Sequence, residues 1–228
     1  MSKCEQCIIR EFGTLKSLTK DDLKSISHHK DSIDFKKGDV LFSEGNVING
    51  VYCIKEGVCK LSRLSANGKE QIVRFIKGGD MLGYRSVLSE EPVTLTVTAL
   101  KDMKACYIPK KEIFDAMKAN PKFSMDMMKT VCHDLKDANA AITNMAQKSV
   151  RERLADTLVF LSETFGVDED GYLDITLTRE EFSSVIGTAT ESAIRLLSGF
   201  KKDGLIALDG KKVKLIDEAE LIKISQGF

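Results

Sequence analysis

The stretch TREEFSSVIGTATESAIRLLSGFKKDGLIALDGKKVKLI, Thr178 to Ile216, decides how the rest of the chain is read. Thr178 and Glu181 have the three-residue spacing of a capping box, which starts a helix that runs to Ile186 and ends at Gly187. Thr188 and Ala189 make a turn. A second helix then runs from about Thr190 to Lys202 and stops at Asp203-Gly204. Along it Ala193, Leu197, Phe200 and Gly204 recur every three or four residues and are predicted to face inward, whereas Glu191, Arg195, Ser198 and Lys202 form a polar stripe. Leu205 to Leu208, Asp209-Gly210 and Lys211 to Ile216 read as a β-hairpin with a primed turn, its tip carrying lysines.

Two helices joined by a tight turn and followed by a hairpin outline a winged helix-turn-helix. The second helix of such a unit puts its N-terminal end into the major groove, where an Arg grips guanine O6/N7 and a Glu accepts from cytosine N4. The competing reading is an αα-hairpin and strand pair in some packed domain. Charge placement favours DNA. Residues 151–228 hold 10 Lys+Arg against 15 Asp+Glu, yet residues 195–214 hold six basic residues and two acidic ones. Lys201, Lys202, Lys211, Lys212 and Lys214 thus gather where phosphates would lie.

The 228 residues, 43% hydrophobic and 30% charged, allow two domains, and a formal net charge of zero says nothing about partners. No run approaches the ~18 apolar residues of a membrane span and no apolar signal core follows Met1, so a cytoplasmic protein without membrane contact is expected. Six cysteines without an export signal point to free thiols or metal ligands rather than disulfides. Cys132 and His133 are neighbours on a helix, so their side chains diverge by about 100° and cannot act as nucleophile and base. With no phosphate-cradling Gly-x-x-x-x-Gly-Lys, no His-Glu-x-x-His and no pocket-like carboxylate pair, enzymatic activity is not expected.

Upstream, a short helix is predicted from Thr19 through Ile26, with His28-His29 at its solvated end. Between Ile33 and Ile108 short β-rich pieces alternate with turns, and eight of the 16 glycines fall between Gly38 and Gly83, which indicates an antiparallel roll. Beyond Pro121 one long helix is predicted to about Gln147, its seam formed by Phe123, Met127, Val131, Leu135, Ala138, Ile142 and Met145. The first half of that seam can cover the roll. The second half can pair with the same helix of another subunit, with Met127, Val131, Leu135, Ala138, Ile142 and Met145 as the dimer set; a helix packed wholly on its own domain is the alternative. Lys148-Ser149 is the expected hinge, Val150 to Phe165 a helix and Tyr172 to Leu177 a strand beneath it. The fold class is α+β: an N-terminal antiparallel, jelly-roll-like β-roll (residues 1–116), a long dimerisation helix with hinge (117–148) and a C-terminal winged helix-turn-helix (149–228).

In this order the elements resemble the Crp/Fnr superfamily of bacterial transcription regulators, over nearly the whole chain. The likeness rests on Lys37-Gly38-Asp39-Val-Leu-Phe42 with Glu44-Gly45, on Ile54-Lys55-Glu56-Gly57-Val58, on Gly79-Asp80-Met-Leu-Gly83, and on Thr178-Arg179 leading to Gly187 and Glu191-Ser-Ala-Ile-Arg195. It implies a homodimer on a palindromic, double-stranded operator, recognition helices ~34 Å apart, and RNA polymerase as a further partner. Glu191 and Arg195 occupy the family's two main base-reading positions. Arg179, Thr190, Ser192, Ser198, Lys202, Lys211 and Lys212 complete the DNA-contacting set. Thr190 stands where the cyclic-AMP branch has a second Arg, and Ile194 where the Fnr branch has a Ser.

For the sensor, the resemblance offers two chemistries. Cyclic-nucleotide members use an Arg-Ser pair and a ribose-binding Glu; here Gly83 is followed by Tyr84-Arg85-Ser86, the Glu is absent and the later Arg-Ser position reads Val93-Thr94-Leu95. Cyclic AMP is therefore not expected, although Gly83, Tyr84, Arg85, Ser86 and Thr94 could meet another small anionic effector. Oxygen-sensing members hold an iron–sulfur cluster on three N-terminal cysteines and one in the roll. Cys4, Cys7 and Cys106 match three of these positions and Gly13 stands at the fourth, where cluster ligation needs a thiolate. A thiol or metal redox sensor on Cys4, Cys7 and Cys106, and a ligand-sensing adaptor that does not bind DNA, are the alternatives to an effector-controlled regulator.

Overall fold

The computed structural model describes Cys7 and residues 13–227. The chain divides into two compact units, one comprising residues 1–63 and 73–136 and the other residues 64–72 and 137–228.

In the first unit a single 3-10 turn, Thr14–Ser17, leads into α1, Lys20–His29. Thr19 and Asp22 form a capping box at its start, and it runs three residues beyond the Ile26 expected from periodicity. His29 is not simply solvated: Nδ1 lies 3.0 Å from the Ser25 carbonyl oxygen and 3.1 Å from the Glu112 carboxylate. Eight strands follow: β1 Asp31–Phe35, β2 Val40–Phe42, β3 Gly50–Glu56, β4 Val58–Leu64, β5 Glu70–Lys77, β6 Met81–Leu82, β7 Thr96–Ala99 and β8 Met103–Pro109, with the short helix α2, Tyr84–Ser89, after β6. They form two four-stranded sheets, ordered β1-β8-β3-β6 and β2-β7-β4-β5. This is the antiparallel roll the glycine-punctuated segment predicts.

Val97, Ile54, Cys59 and Ala105 fill the roll's interior, all fully buried. A second cluster, of Leu23, Ile26, Val51, Ile108 and Ile113, takes in helix α3, Lys110–Ala119, and the first two turns of α4, Pro121–Gln147, through Phe123 and Met127. Met127 is 1% exposed, whereas Val131, Leu135 and Ile142 are 39%, 61% and 68% exposed. Met127, expected in the dimer set, is therefore part of the roll's core, and the exposed part of the apolar stripe begins at Val131.

In the second unit α5, Val150–Phe165, begins at a Ser149–Glu152 capping box. After it come α6, Arg179–Ile186; α7, Thr190–Lys202; the strand pair β9, Ile206–Asp209, and β10, Lys212–Leu215; and α8, Glu218–Ser225. Leu154, Leu158, Leu161, Phe182, Ile186, Leu197, Phe200 and Leu221 form its core, each at most 1% exposed. Residues 64–72 join this unit, with Gln71 Nε2 donating to the Val185 carbonyl at 3.3 Å.

No strand forms from Tyr172 to Leu177; only Leu173 makes an isolated bridge, to Val167. The Asp168 side chain accepts from the amides of Asp170 and Tyr172, a local turn, while the next two amides go to different partners, Leu173 to the Val213 carbonyl and Asp174 to the Gly166 carbonyl. The segment still contributes apolar side chains, since Leu173, Ile175 and Leu177 are buried.

Candidate nucleic-acid interface

Local sequence fixes the frame of this surface. Thr178 accepts from the Glu181 amide at 3.1 Å while Glu181 accepts from the Thr178 amide at 2.9 Å, so α6 starts where the capping box requires. It stops at Gly187, whose φ of 64° lies in the left-handed region. A side chain there would also press on Met145, whose sulfur lies 3.2 Å from an ideal Cβ position. Ala193, Leu197 and Phe200 anchor α7 with at most 1% exposure. Gly204, grouped with them by spacing, is exposed instead, because α7 has ended at Lys202.

Burying that face turns the other outward. Glu191, Arg195, Ser198 and Lys202 are all exposed, with Ile194 beside them. Arg195 Nη2 donates to Ser192 Oγ at 3.3 Å, which orients the guanidinium along the helix. Thr190 Oγ1 lies 3.2 Å from Ser183 Oγ and so ties α7 to α6 rather than extending outward. Ala189, at the N-cap of α7, supplies no side-chain acceptor, leaving the positive end of that helix open to an anion.

The wing differs from expectation in its turn register. Lys212 pairs with Asp209 and Val213 with Leu208, so the turn is centred on Gly210-Lys211, one residue later than the Asp209-Gly210 reading. Gly210 has a φ of 54°, the positive first position of a primed turn. Arg179 donates through Nη2 to the Gly210 carbonyl at 3.0 Å, while its Nη1 is buried with no hydrogen-bond partner. Arg179, expected to contact DNA, ties the wing to the start of α6 through this bond.

Lys212 is likewise engaged. It makes a 3.0 Å ion pair with Asp168, and this hydrogen bond holds the Asp168 carboxyl below, and the Lys212 ammonium above, their ordinary values. Lys214 donates to the Asp170 carbonyl at 2.9 Å, and both ammonium groups lie over the Tyr172 ring. Lys201, Lys202 and Lys211 remain as exposed cations on this surface.

Among the predicted effector residues, Arg85 and Ser86 have partners within the chain. Gly83 is the left-handed N-cap of α2 and Tyr84 is buried. Arg85 Nη1 pairs with Glu91 at 3.1 Å and Nη2 approaches the Pro92 carbonyl at 3.4 Å; the same carbonyl lies 3.5 Å from Ser86 Oγ. Thr94 is exposed. An anion at Arg85 would compete with the Glu91 carboxylate. Sequence spacing does not reveal a different cluster: Asp134 on α4 accepts from both Arg74 on β5 and the Tyr84 hydroxyl. Burial, followed by the hydrogen bond to Asp134, raises the Tyr84 pKa.

Cys4 lies outside the described residues. Cys7, Cys53 and Cys106 line one largely apolar cavity of about 40 Å³, and Cys53 stands directly opposite Cys106 in the β3–β8 ladder. Gly13, at the expected third N-terminal ligand position, backs onto the Gly79 carbonyl oxygen so closely that a Cβ would overlap it. Among the described residues no group of three or more His, Cys, Asp or Glu is placed to hold a metal ion. The position at which the family's third N-terminal cysteine is expected is thus filled by a glycine with no room for a side chain.

Comparison with known proteins agrees with this geometry. Residues 32–120 match the cyclic nucleotide-binding domain model and residues 152–224 the Crp-like helix-turn-helix domain model. The chain is 26% identical to the transcriptional activator protein anr of Pseudomonas aeruginosa, over 98% of this chain and 93% of that one. It is 25% identical to the CRP-like cAMP-activated global transcriptional regulator of Mycobacterium tuberculosis, over 95% and 97%. The crystal structure of a Crp/Fnr-family transcriptional regulator from Eubacterium rectale superposes with a TM-score of 0.78, covering 92% of this chain and 96% of that one at 21% identity. Near-equal identity to differently named regulators leaves the choice of signal to the sensor residues themselves.

Proposed function

The chain belongs to the Crp/Fnr family of transcription regulators, with a DNA-binding helix-turn-helix, and on that premise we propose that it acts as a homodimer reading a palindromic operator. The observation that carries this reading is the exposed pair Glu191 and Arg195 on the outer face of α7, whose opposite face is locked into the core. Arg195 reads a guanine and Glu191 a cytosine, with Lys201, Lys202 and Lys211 on neighbouring phosphates. The α4 stripe from Val131 to Met145 supplies the second copy's contact, since large apolar side chains left in water at helical spacing favour pairing. On a promoter such a dimer meets RNA polymerase, and it works in the cytoplasm.

The test is selection of bound duplexes from a random-sequence library by the full-length protein, with sedimentation to count chains per duplex. A two-fold symmetric consensus bound by two chains is expected. An asymmetric consensus, or one chain per duplex, would refute the reading.

The sensor input we read as thiol chemistry rather than cyclic-nucleotide binding, because Cys7, Cys53 and Cys106 share one cavity whereas Arg85 is already satisfied by Glu91. Cys53 thereby joins Cys7 and Cys106. Treatment with a low-molecular-weight disulfide, followed by mass spectrometry and operator titration, should show a modification at these residues together with changed affinity. Unchanged operator binding after complete modification would overturn it.

A further inference from the structure

We propose that Arg153 is the positioning residue that sets the angle at which α7 is presented from the end of α4. Its guanidinium meets three backbone carbonyls: Nε donates to Ile186 at 2.8 Å, and Nη1 donates to Lys148 at 2.7 Å and to Met145 at 3.2 Å. Two of these oxygens belong to the end of α4 and its linker, the third to the last residue of α6.

Each of the three needs such a donor. A helix leaves its last four carbonyls without intrahelical partners, and the macrodipole makes that end negative. The Ser149 amide, which could have served Met145, donates instead to the Glu152 carboxylate at 3.1 Å, and the Glu152 amide, which could have served Lys148, donates to Ser149 Oγ at 3.3 Å. The capping box that begins α5 thus strips the α4 terminus of its natural donors. Ile186 is cut off by the left-handed turn at Gly187. Two helix C-termini therefore converge on one cation, and a guanidinium, planar with several fixed N–H directions, is the side chain that can serve three acceptors at once.

Neighbouring groups reinforce the joint. Lys148 Nζ pairs with Asp156 at 3.1 Å, and Asn144 Nδ2 reaches the same carboxylate at 3.4 Å, both across the α4–α5 bend. The Met145 sulfur fills the space above Gly187. Because α6 carries α7 through a three-residue turn, fixing Ile186 to the α4 terminus fixes the reading helix to the seam through which two copies would pair.

This inference rests on the dimeric-operator reading, so its test includes a measurement that needs no DNA. In full-length Arg153→Gln, amide hydrogen exchange at 145–149 should speed up while the amides of α7 keep their protection. On the palindrome selected by the wild-type chain, Arg153→Gln should lose about tenfold in affinity and about tenfold in preference over duplexes with one base pair added between half-sites. Binding to a duplex with one half-site scrambled should stay within about twofold, because a single head needs no partner in register. Arg153→Lys, which keeps the charge but cannot span three carbonyls, should fold and fall between the two. Equal losses on whole and half operators, an unaltered spacing preference, or unchanged exchange at 145–149 would each overturn the proposal. If the wild-type chain selects no palindrome, the dimeric reading fails, and the exchange measurement alone decides the role of Arg153.

Discussion

Tyr84 on α2 donates its hydroxyl to the carboxylate of Asp134 on α4, joining the end of the roll's glycine turn to a helix fifty residues further along. Arg74 reaches the same carboxylate. Tyr84→Phe should therefore cost about 1.5–3 kcal/mol of stability, the range for a hydrogen bond to a charged group. The bond needs the protonated phenol, and the Tyr84 pKa is raised above the ordinary 10.0. Its contribution is thus complete below pH 10.0 and lost as the pH climbs through the higher folded-state value. Denaturant midpoints for the two proteins should be well separated at neutral pH and converge in strong alkali.

Arg195→Ala should lose ~1–3 kcal/mol of discrimination at one base pair of each half-site, whereas Lys211→Ala should weaken binding to every sequence and reduce the salt slope by about one per head. Fluorescence anisotropy on operator and scrambled duplexes over a salt series separates them. Lys212→Ala, because its ammonium is already paired with Asp168, should change the salt slope less than Lys211→Ala.

Leu135→Glu places a charge in the middle of the exposed α4 stripe, far from either core. Sedimentation should show single chains with an unchanged far-ultraviolet spectrum, together with loss of operator affinity. Met127→Ala, by contrast, should destabilise the roll by ~2–5 kcal/mol, since that side chain is 1% exposed.

Gly13→Cys would supply the thiol missing from the cluster-binding pattern, yet its Cβ would overlap the Gly79 carbonyl oxygen. A loss of ~1–3 kcal/mol is expected from such overpacking, read as a lower urea midpoint.

Thiol reactivity should follow burial. Cys59 is fully buried and its pKa is pushed up to about 12, so it should resist alkylation in the folded protein. Cys132 is exposed and should label first, as mass spectrometry after brief iodoacetamide treatment would show.

What sequence alone reveals follows the range of the interactions concerned. Capping boxes at Ser149 and Thr178, the glycine stop at Gly187 and the proline start at Pro121 act within four residues, and α4, α5 and α6 begin, and α6 ends, where those signals fall. The wing turn slips by one residue because cross-strand register, not turn composition, fixes its centre. Tyr172 to Leu177 has strand-like alternation, but the amides of Tyr172, Leu173 and Asp174 go to three different places, the Asp168 side chain and the Val213 and Gly166 carbonyls, which periodicity does not register. Met127 and Val131 share a seam by spacing and part company only because the roll covers one of them. Arg74, Asp134, Arg153 and Cys53 are invisible to motif reading, since each acquires its partners through tertiary folding: Arg74 and Asp134 stand 60 residues apart in the chain. Residue type at Arg179 and Lys212 suggests phosphate contacts but does not reveal their partners within the chain, the Gly210 carbonyl and the Asp168 carboxylate.

The bare stripe from Val131 to Met145 carries a quantitative implication for regulation. If only paired chains grip an operator, then at low abundance promoter occupancy rises with the square of the number of molecules in the cell. A twofold change in synthesis or turnover is then felt as roughly fourfold at the gene. Copy number itself becomes a signal, independent of whatever the roll detects.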